Sequence, residues 1–161
     1  MIIFIPERAM RIIWDECDRF GDKENGGRII GVFGNDTLRV LGLIEAGPDA
    51  KRTSVSFFQD GDYQEPIFRK LERKVTNIRH LGNWHSHHCN GLETLSSGDV
   101  STYRKNVNSQ NHAQDFFYAL LVTKKYSAKH FMFYRGDSRF YEIPQGNVRM
   151  VNDELLWPRT V

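Results

Sequence analysis

The sequence predicts an α+β fold with a central mixed β-sheet flanked by helices. Three observations carry that expectation. Most of the apolar runs are short and β-prone rather than spaced for helices. Several are joined by turn pairs such as Asn35-Asp36 and Gly136-Asp137, which signal hairpins. The helical segments do not alternate regularly with the strands, as a wound α/β domain would require.

In chain order, Glu7 to Phe20 places Met10, Ile13, Trp14 and Cys17 on one helical face. Pro6 suits its first turn and Gly21 its end. Arg28 to Phe33 and Leu38 to Ile44 read as strands joined at Asn35-Asp36. Ser54 to Phe58 is a third strand candidate. Tyr63 to Val75 reads as a helix with Ile67, Phe68, Leu71 and Val75 on one face. Asn77 to His87 reads as a strand that ends in a histidine cluster, and Ser96 to Val107 as a helix. Phe116 to Thr123 is continuously apolar and predicts a central buried strand. Lys129 to Arg135 and Arg139 to Ile143 form a second hairpin.

The 161 residues suit one domain spanning residues 1–161. A net charge of +2, with no lysine- or arginine-rich block, argues against a nucleic-acid partner. Two cysteines, Cys17 and Cys89, do not make a disulfide framework. The apolar start, Met1 to Ile5, is too short for a signal peptide or for a membrane span of about 20 residues. A soluble cytoplasmic protein without a membrane partner is therefore expected.

The stretch Gly82-Asn83-Trp84-His85-Ser86-His87-His88-Cys89, continued to Asp99, carries the chemistry. In an extended chain His85 and His87 point to one face, so two imidazoles can reach one metal ion. Catalytic zinc takes three protein ligands and keeps a further position for water. Asp99 is the best-placed third ligand. Each piece also has a plainer reading. Loop histidines are commonly solvent-facing, and Ser96-x-x-Asp99 fits a helix capping box. Trp84 lies on the other face of the strand and reads as core, and Cys89 as a loop cysteine without a role.

The run His-x-His, a short loop and Ser-x-x-Asp resembles the JAMM motif of the MPN-domain zinc metallopeptidases, in particular their prokaryotic members. Glu24-Asn25-Gly26-Gly27-Arg28-Ile29-Ile30-Gly31 stands where that family carries its upstream glutamate. The resemblance covers residues 1–125 and implies an MPN (cytidine deaminase-like) fold. It implies zinc held by His85, His87 and Asp99, with Glu24 as the proton shuttle and the Ser96 hydroxyl as oxyanion donor. By itself Glu24 reads as a solvated acid in a turn. The implied reaction is hydrolysis after the C-terminal tail of a ubiquitin-like or sulfur-carrier protein. A non-catalytic MPN scaffold and a metal-dependent nucleic-acid processing factor are the alternatives. One departure stands out: His88 to Leu95 is one residue longer than the family spacing. Either the loop carries an insertion, which is cheap, or His88 replaces His87. The insertion is preferred, because positions 85 and 88 of a strand face opposite ways.

Overall fold

Phe116–Val122 is buried at every position, because it lies inside a sheet covered on both faces. The computed structural model describes residues 1–124 and 127–157. Its elements are β1 (Ile2–Pro6), α1 (Glu7–Arg19), β2 (Gly26–Gly34), β3 (Thr37–Glu45), β4 (Lys51–Arg52) and β5 (Phe57–Phe58). They continue with α2 (Gly61–Lys74), β6 (Arg79–Ser86), α3 (Ser97–Asn108), β7 (Phe116–Val122), β8 (Ala128–Tyr134), β9 (Phe140–Ile143) and β10 (Val148–Val151). The eight-stranded sheet has the order β10-β1-β3-β2-β6-β7-β8-β9. It is mixed: β1 runs parallel to β3 and β10, and β6 parallel to β7, while the other pairs are antiparallel.

The period-2 alternation of the strands sorts their side chains between two helical layers. Tyr118, Leu120 and Val122 of β7 pack with Ala9, Met10, Ile13 and Cys17 of α1. Phe117, Ala119 and Leu121 pack with Tyr103 and Val107 of α3. Phe68 and Leu71 of α2 cover Ile30 and Ile44. Trp84 is buried in the α1 layer, as its position in the strand implied.

The first hairpin forms as expected, with Asn35 and Asp36 both at positive φ, the backbone of a tight hairpin turn. Three features differ from the sequence reading. Ser54–Phe58 is not a sheet strand, since only Phe57–Phe58 pairs, in a two-stranded ribbon with Lys51–Arg52. Pro6 ends β1 and stands as the residue before α1 rather than within its first turn. The first and last strands, β1 and β10, were not foreseen; they are short, and their partners are distant in sequence.

Gly82 marks an irregularity that aims the end of β6. Its φ is 155°, and the β2–β6 register shifts between Ile29 and Ile30, opposite this point. A side chain there would collide with the Tyr118 carbonyl. Beyond Gly82 the pairing with β2 is regular, and it sets His85 opposite Gly26.

Candidate metal centre

His85 is the penultimate residue of β6, and His87 lies one residue beyond its end. His87 N–H still donates to the Val122 carbonyl at 2.7 Å, so the chain stays extended and both rings reach the α3 side. The chain then turns: the amides of Asn90 and Gly91 both donate to the His87 carbonyl, and Gly91 takes a φ of 78°. Leu95 is buried against the α3 layer and returns the loop to the sheet. Ser96 caps α3. Its hydroxyl accepts from Asp99 N–H at 3.1 Å, and its N–H donates to Asp99 Oδ2 at 2.8 Å. The capping reading of this segment and the placement of its acid beside the histidines therefore hold together.

His85 Nε2 and His87 Nε2 lie 3.1 Å apart, and Asp99 Oδ2 lies 3.2 Å from each. These three residues form the one such cluster of potential ligands among the described residues. A tetrahedral zinc with bonds of about 2.0–2.2 Å spaces its ligand atoms about 3.3–3.6 Å apart, so the triangle fits that ion with little movement. Two imidazole nitrogens and a carboxylate oxygen converging this closely is the donor set of a divalent cation. His85 and His87 are buried.

Glu24 Oε1 sits 3.4 Å from His87 Nε2 and accepts from Asn90 Nδ2 at 2.8 Å. Burial raises the Glu24 carboxyl, and the charges of His87 and His85 with the Asn90 hydrogen bond only partly oppose it. Burial by itself would also raise Asp99, but hydrogen bonds and charge from His85 and His87 hold it far below the usual carboxylate range. For His87, burial acts to lower the imidazole, yet Asp99 and Glu24 outweigh it and raise the ring above its ordinary value.

His88 is turned away from this cluster. Its Nδ1 meets Ser86 Oγ at 2.8 Å, and its Nε2 meets the Phe20 carbonyl at 3.0 Å. Cys89 Sγ lies 3.5 Å from the Ser54 carbonyl, outside the triad. His112 and His130 are buried in the fold, His130 with its Nδ1 on the Tyr118 hydroxyl. His80 lines a polar cavity of about 600 Å³ between α2 and α3. That cavity also takes in Asn83 and Arg28, which pair across β6 and β2 two residues from His85 and Gly26.

Three neighbours of the triad were not singled out from the sequence. Tyr103 places its hydroxyl 2.7 Å from His85 Nδ1. Asn90 holds Glu24. Asn25 is fully buried and ties three elements together. Its N–H donates to Ser86 Oγ, its amide donates to Glu16 Oε2, and Arg52 Nε donates to its Oδ1. Asn25 and Asn90 sit between the regular elements, where sequence alone gives their amides no partner, while Tyr103 stands one helical turn from Asp99, a spacing that could have drawn notice. Gly26 and Gly27 leave room for the neighbouring strand and ribbon. Side chains there would strike Trp84, with Phe57 adding to the clash at Gly26 and the Ile44 carbonyl at Gly27.

The fold and the cluster together define an α+β protein with a candidate His-His-Asp metal centre beside a buried glutamate. Searches of protein-family models find no match. Over 88 residues the chain is 27% identical to a protein of Sinorhizobium fredii named "Probable metalloprotease y4qB", a match spanning 53% of this chain and 54% of that protein. The chain thus aligns with about half the length of this curated relative. A solution structure, that of protein DSY2949 from Desulfitobacterium hafniense, shares the fold with a TM-score of 0.64. It covers 95% of both chains at 16% identity.

Proposed function

We propose that this chain is a zinc-dependent peptidase of the JAMM type on an MPN (cytidine deaminase-like) fold. It cleaves after the C-terminal tail of a ubiquitin-like or sulfur-carrier protein. The observation that carries the reading is the convergence of His85 Nε2, His87 Nε2 and Asp99 Oδ2 at 3.1–3.2 Å, with Glu24 Oε1 3.4 Å from His87 Nε2. The partial likeness to a protein named as a probable metalloprotease supports the same class.

When bound, zinc supplies a Lewis acid for the scissile carbonyl and lowers the pKa of water toward about 7. Glu24 accepts a proton from the attacking water at its carboxylate and returns it to the leaving amine. Burial holds its carboxyl above the usual range, which suits a group that must both take and give a proton near neutral pH. The Ser96 hydroxyl spends an oxygen lone pair on Asp99 N–H, so its hydrogen stays free to donate to the developing oxyanion. Val55 and Leu92 are exposed apolar side chains flanking the joint where Asn90 donates to the Ser54 carbonyl. Such a rim suits a folded protein partner better than a short peptide.

The test has two measurements. Purified protein is expected to hold one zinc per chain by atomic spectroscopy, and it should cleave a glycine-ending ubiquitin-like protein from a C-terminal reporter. Glu24→Gln should retain zinc and lose cleavage. Parental cleavage by Glu24→Gln removes Glu24 as the proton carrier, and cutting of denatured casein with the fusion left intact points to a general peptidase.

A further inference from the structure

We infer that Tyr103 is a metal-positioning residue, bracing the His85 ring from behind so that its Nε2 faces the cation position; this rests on the metal-centre reading above. Tyr103 lies one helical turn beyond Asp99 on α3, so the helix that delivers the carboxylate also delivers a hydroxyl to the back of His85. Its oxygen is 2.7 Å from His85 Nδ1, and both residues are buried. The phenol ring is held between Phe117, stacked at 5.2 Å, and Phe133, edge-on at 5.6 Å. Its position is therefore set by packing rather than by the imidazole.

A hydroxyl both donates and accepts. With a cation on Nε2, that nitrogen must be bare, His85 carries its proton on Nδ1, and Tyr103 oxygen accepts it. Without a cation, Nε2–H can donate to Asp99 Oδ2 at 3.2 Å, and the same hydroxyl donates to Nδ1. His85 thus keeps a partner in both states and need not rotate on loading. His87 has no side chain behind it: its buried Nδ1 has only the Thr94 backbone near it, outside good hydrogen-bond geometry. Of the two rings, His85 is the one held from behind by a buried hydroxyl.

Partners behind a metal-bound histidine are typically worth about 10–100-fold in metal affinity. Tyr103→Phe keeps the ring and removes the oxygen. Its zinc dissociation constant, measured by competition with a chromogenic chelator, is expected to rise by about 10–100-fold, with the melting temperature of the zinc-free protein little changed. Phe117→Leu, which loosens the packing but keeps the hydroxyl, should change zinc affinity far less. In zinc-loaded wild type, NMR should show the His85 Nδ1–H shifted downfield by a hydrogen bond to the Tyr103 oxygen. Affinity of Tyr103→Phe within twofold of wild type, or a loaded His85 whose Nδ1–H shows no hydrogen-bonded shift, overturns the inference; the NMR arm decides should the variant not fold. Wild type that takes up no zinc overturns the metal reading itself, a result distinct from either.

Discussion

Asn90 Nδ2 donates to Glu24 Oε1 at 2.8 Å, joining two residues 66 apart in sequence across the mouth of the triad. The same amide donates to the Ser54 carbonyl at 3.0 Å, and Asn90 Oδ1 accepts from Leu92 N–H. Asn90 therefore fixes the loop to the β4–β5 ribbon while holding the carboxylate. It belongs to the His88–Leu95 segment, whose extra residue was the departure from the family spacing.

Asn90→Ala is expected to leave zinc content unchanged and to reduce turnover. A hydrogen bond to the charged carboxylate lowers its pKa, so losing Asn90 pushes Glu24 further up. The acidic limb of the pH–rate profile should then move to higher pH. An unmoved limb would show that Asn90 does not act on Glu24.

His87→Ala should abolish zinc binding, and His88→Ala should keep it. His87 Nε2 is 3.1 Å from His85 Nε2, while both nitrogens of His88 are engaged with Ser86 and Phe20. Metal analysis of the two purified variants decides the matter, and the opposite pattern would make His88 the ligand.

How much of this site the sequence discloses depends on how local each signal is. The His-x-His pair is legible because a period of two puts both rings on one face. Asp99 is legible because capping places an acid at a fixed offset from Ser96. Glu24 has no such local signature, and only the family resemblance singles it out. In the fold, Asn35-Asp36 and the run Phe116–Val122 announce themselves, because turn chemistry and continuous burial are written in consecutive residues. β1 is not legible in this way: Ile3 pairs with Leu38 on one side and Val148 on the other. Phe57 and Phe58 misled the reading, because aromatic residues mark strands only where a neighbouring strand continues the ladder, and here it ends after two pairs.

Asn25 predicts a cost in stability. Truncation to Ala strands Glu16 Oε2 and Arg52 Nε in a partly buried network. Leaving such groups unpaired typically costs about 1–3 kcal/mol each in the interior, less where water reaches them. A loss of about 2 kcal/mol in urea unfolding is expected. A change below about 0.5 kcal/mol would show that water replaces the amide.

His130 predicts a pH dependence of stability. Burial lowers its pKa from 6.5 to about 4, and its Nδ1 meets the Tyr118 hydroxyl at 2.7 Å. Above pH 6.5 the ring is neutral in both states and contributes no slope. As the pH falls from 6.5 toward about 4, the unfolded chain takes up a proton that the folded one refuses. Stability then falls by about 1.4 kcal/mol per pH unit from this group. Unfolding curves of wild type and His130→Phe across that range should differ in slope by about this amount, and parallel curves would mean the ring titrates normally in the fold.

Ser96 is asked to do two things, and one substitution separates them. As the residue before α3 it caps the helix, and in the proposed reaction its hydroxyl donates to the oxyanion. Ser96→Ala removes both functions and so cannot distinguish them. Glycine is tolerated at this capping position at a cost of only a few tenths of a kcal/mol, whereas alanine costs about 0.5–2 kcal/mol. Ser96→Gly should therefore melt close to wild type, and its Asp99 should keep the hydrogen bond from the backbone N–H of residue 96, now 2.8 Å long. Zinc affinity should hold, because that bond orients the ligand oxygen. Turnover should nonetheless fall by about 10²–10³-fold if the hydroxyl is the oxyanion donor. Retained turnover in a stable, zinc-loaded Ser96→Gly protein would assign Ser96 to the cap alone and leave the oxyanion to another donor.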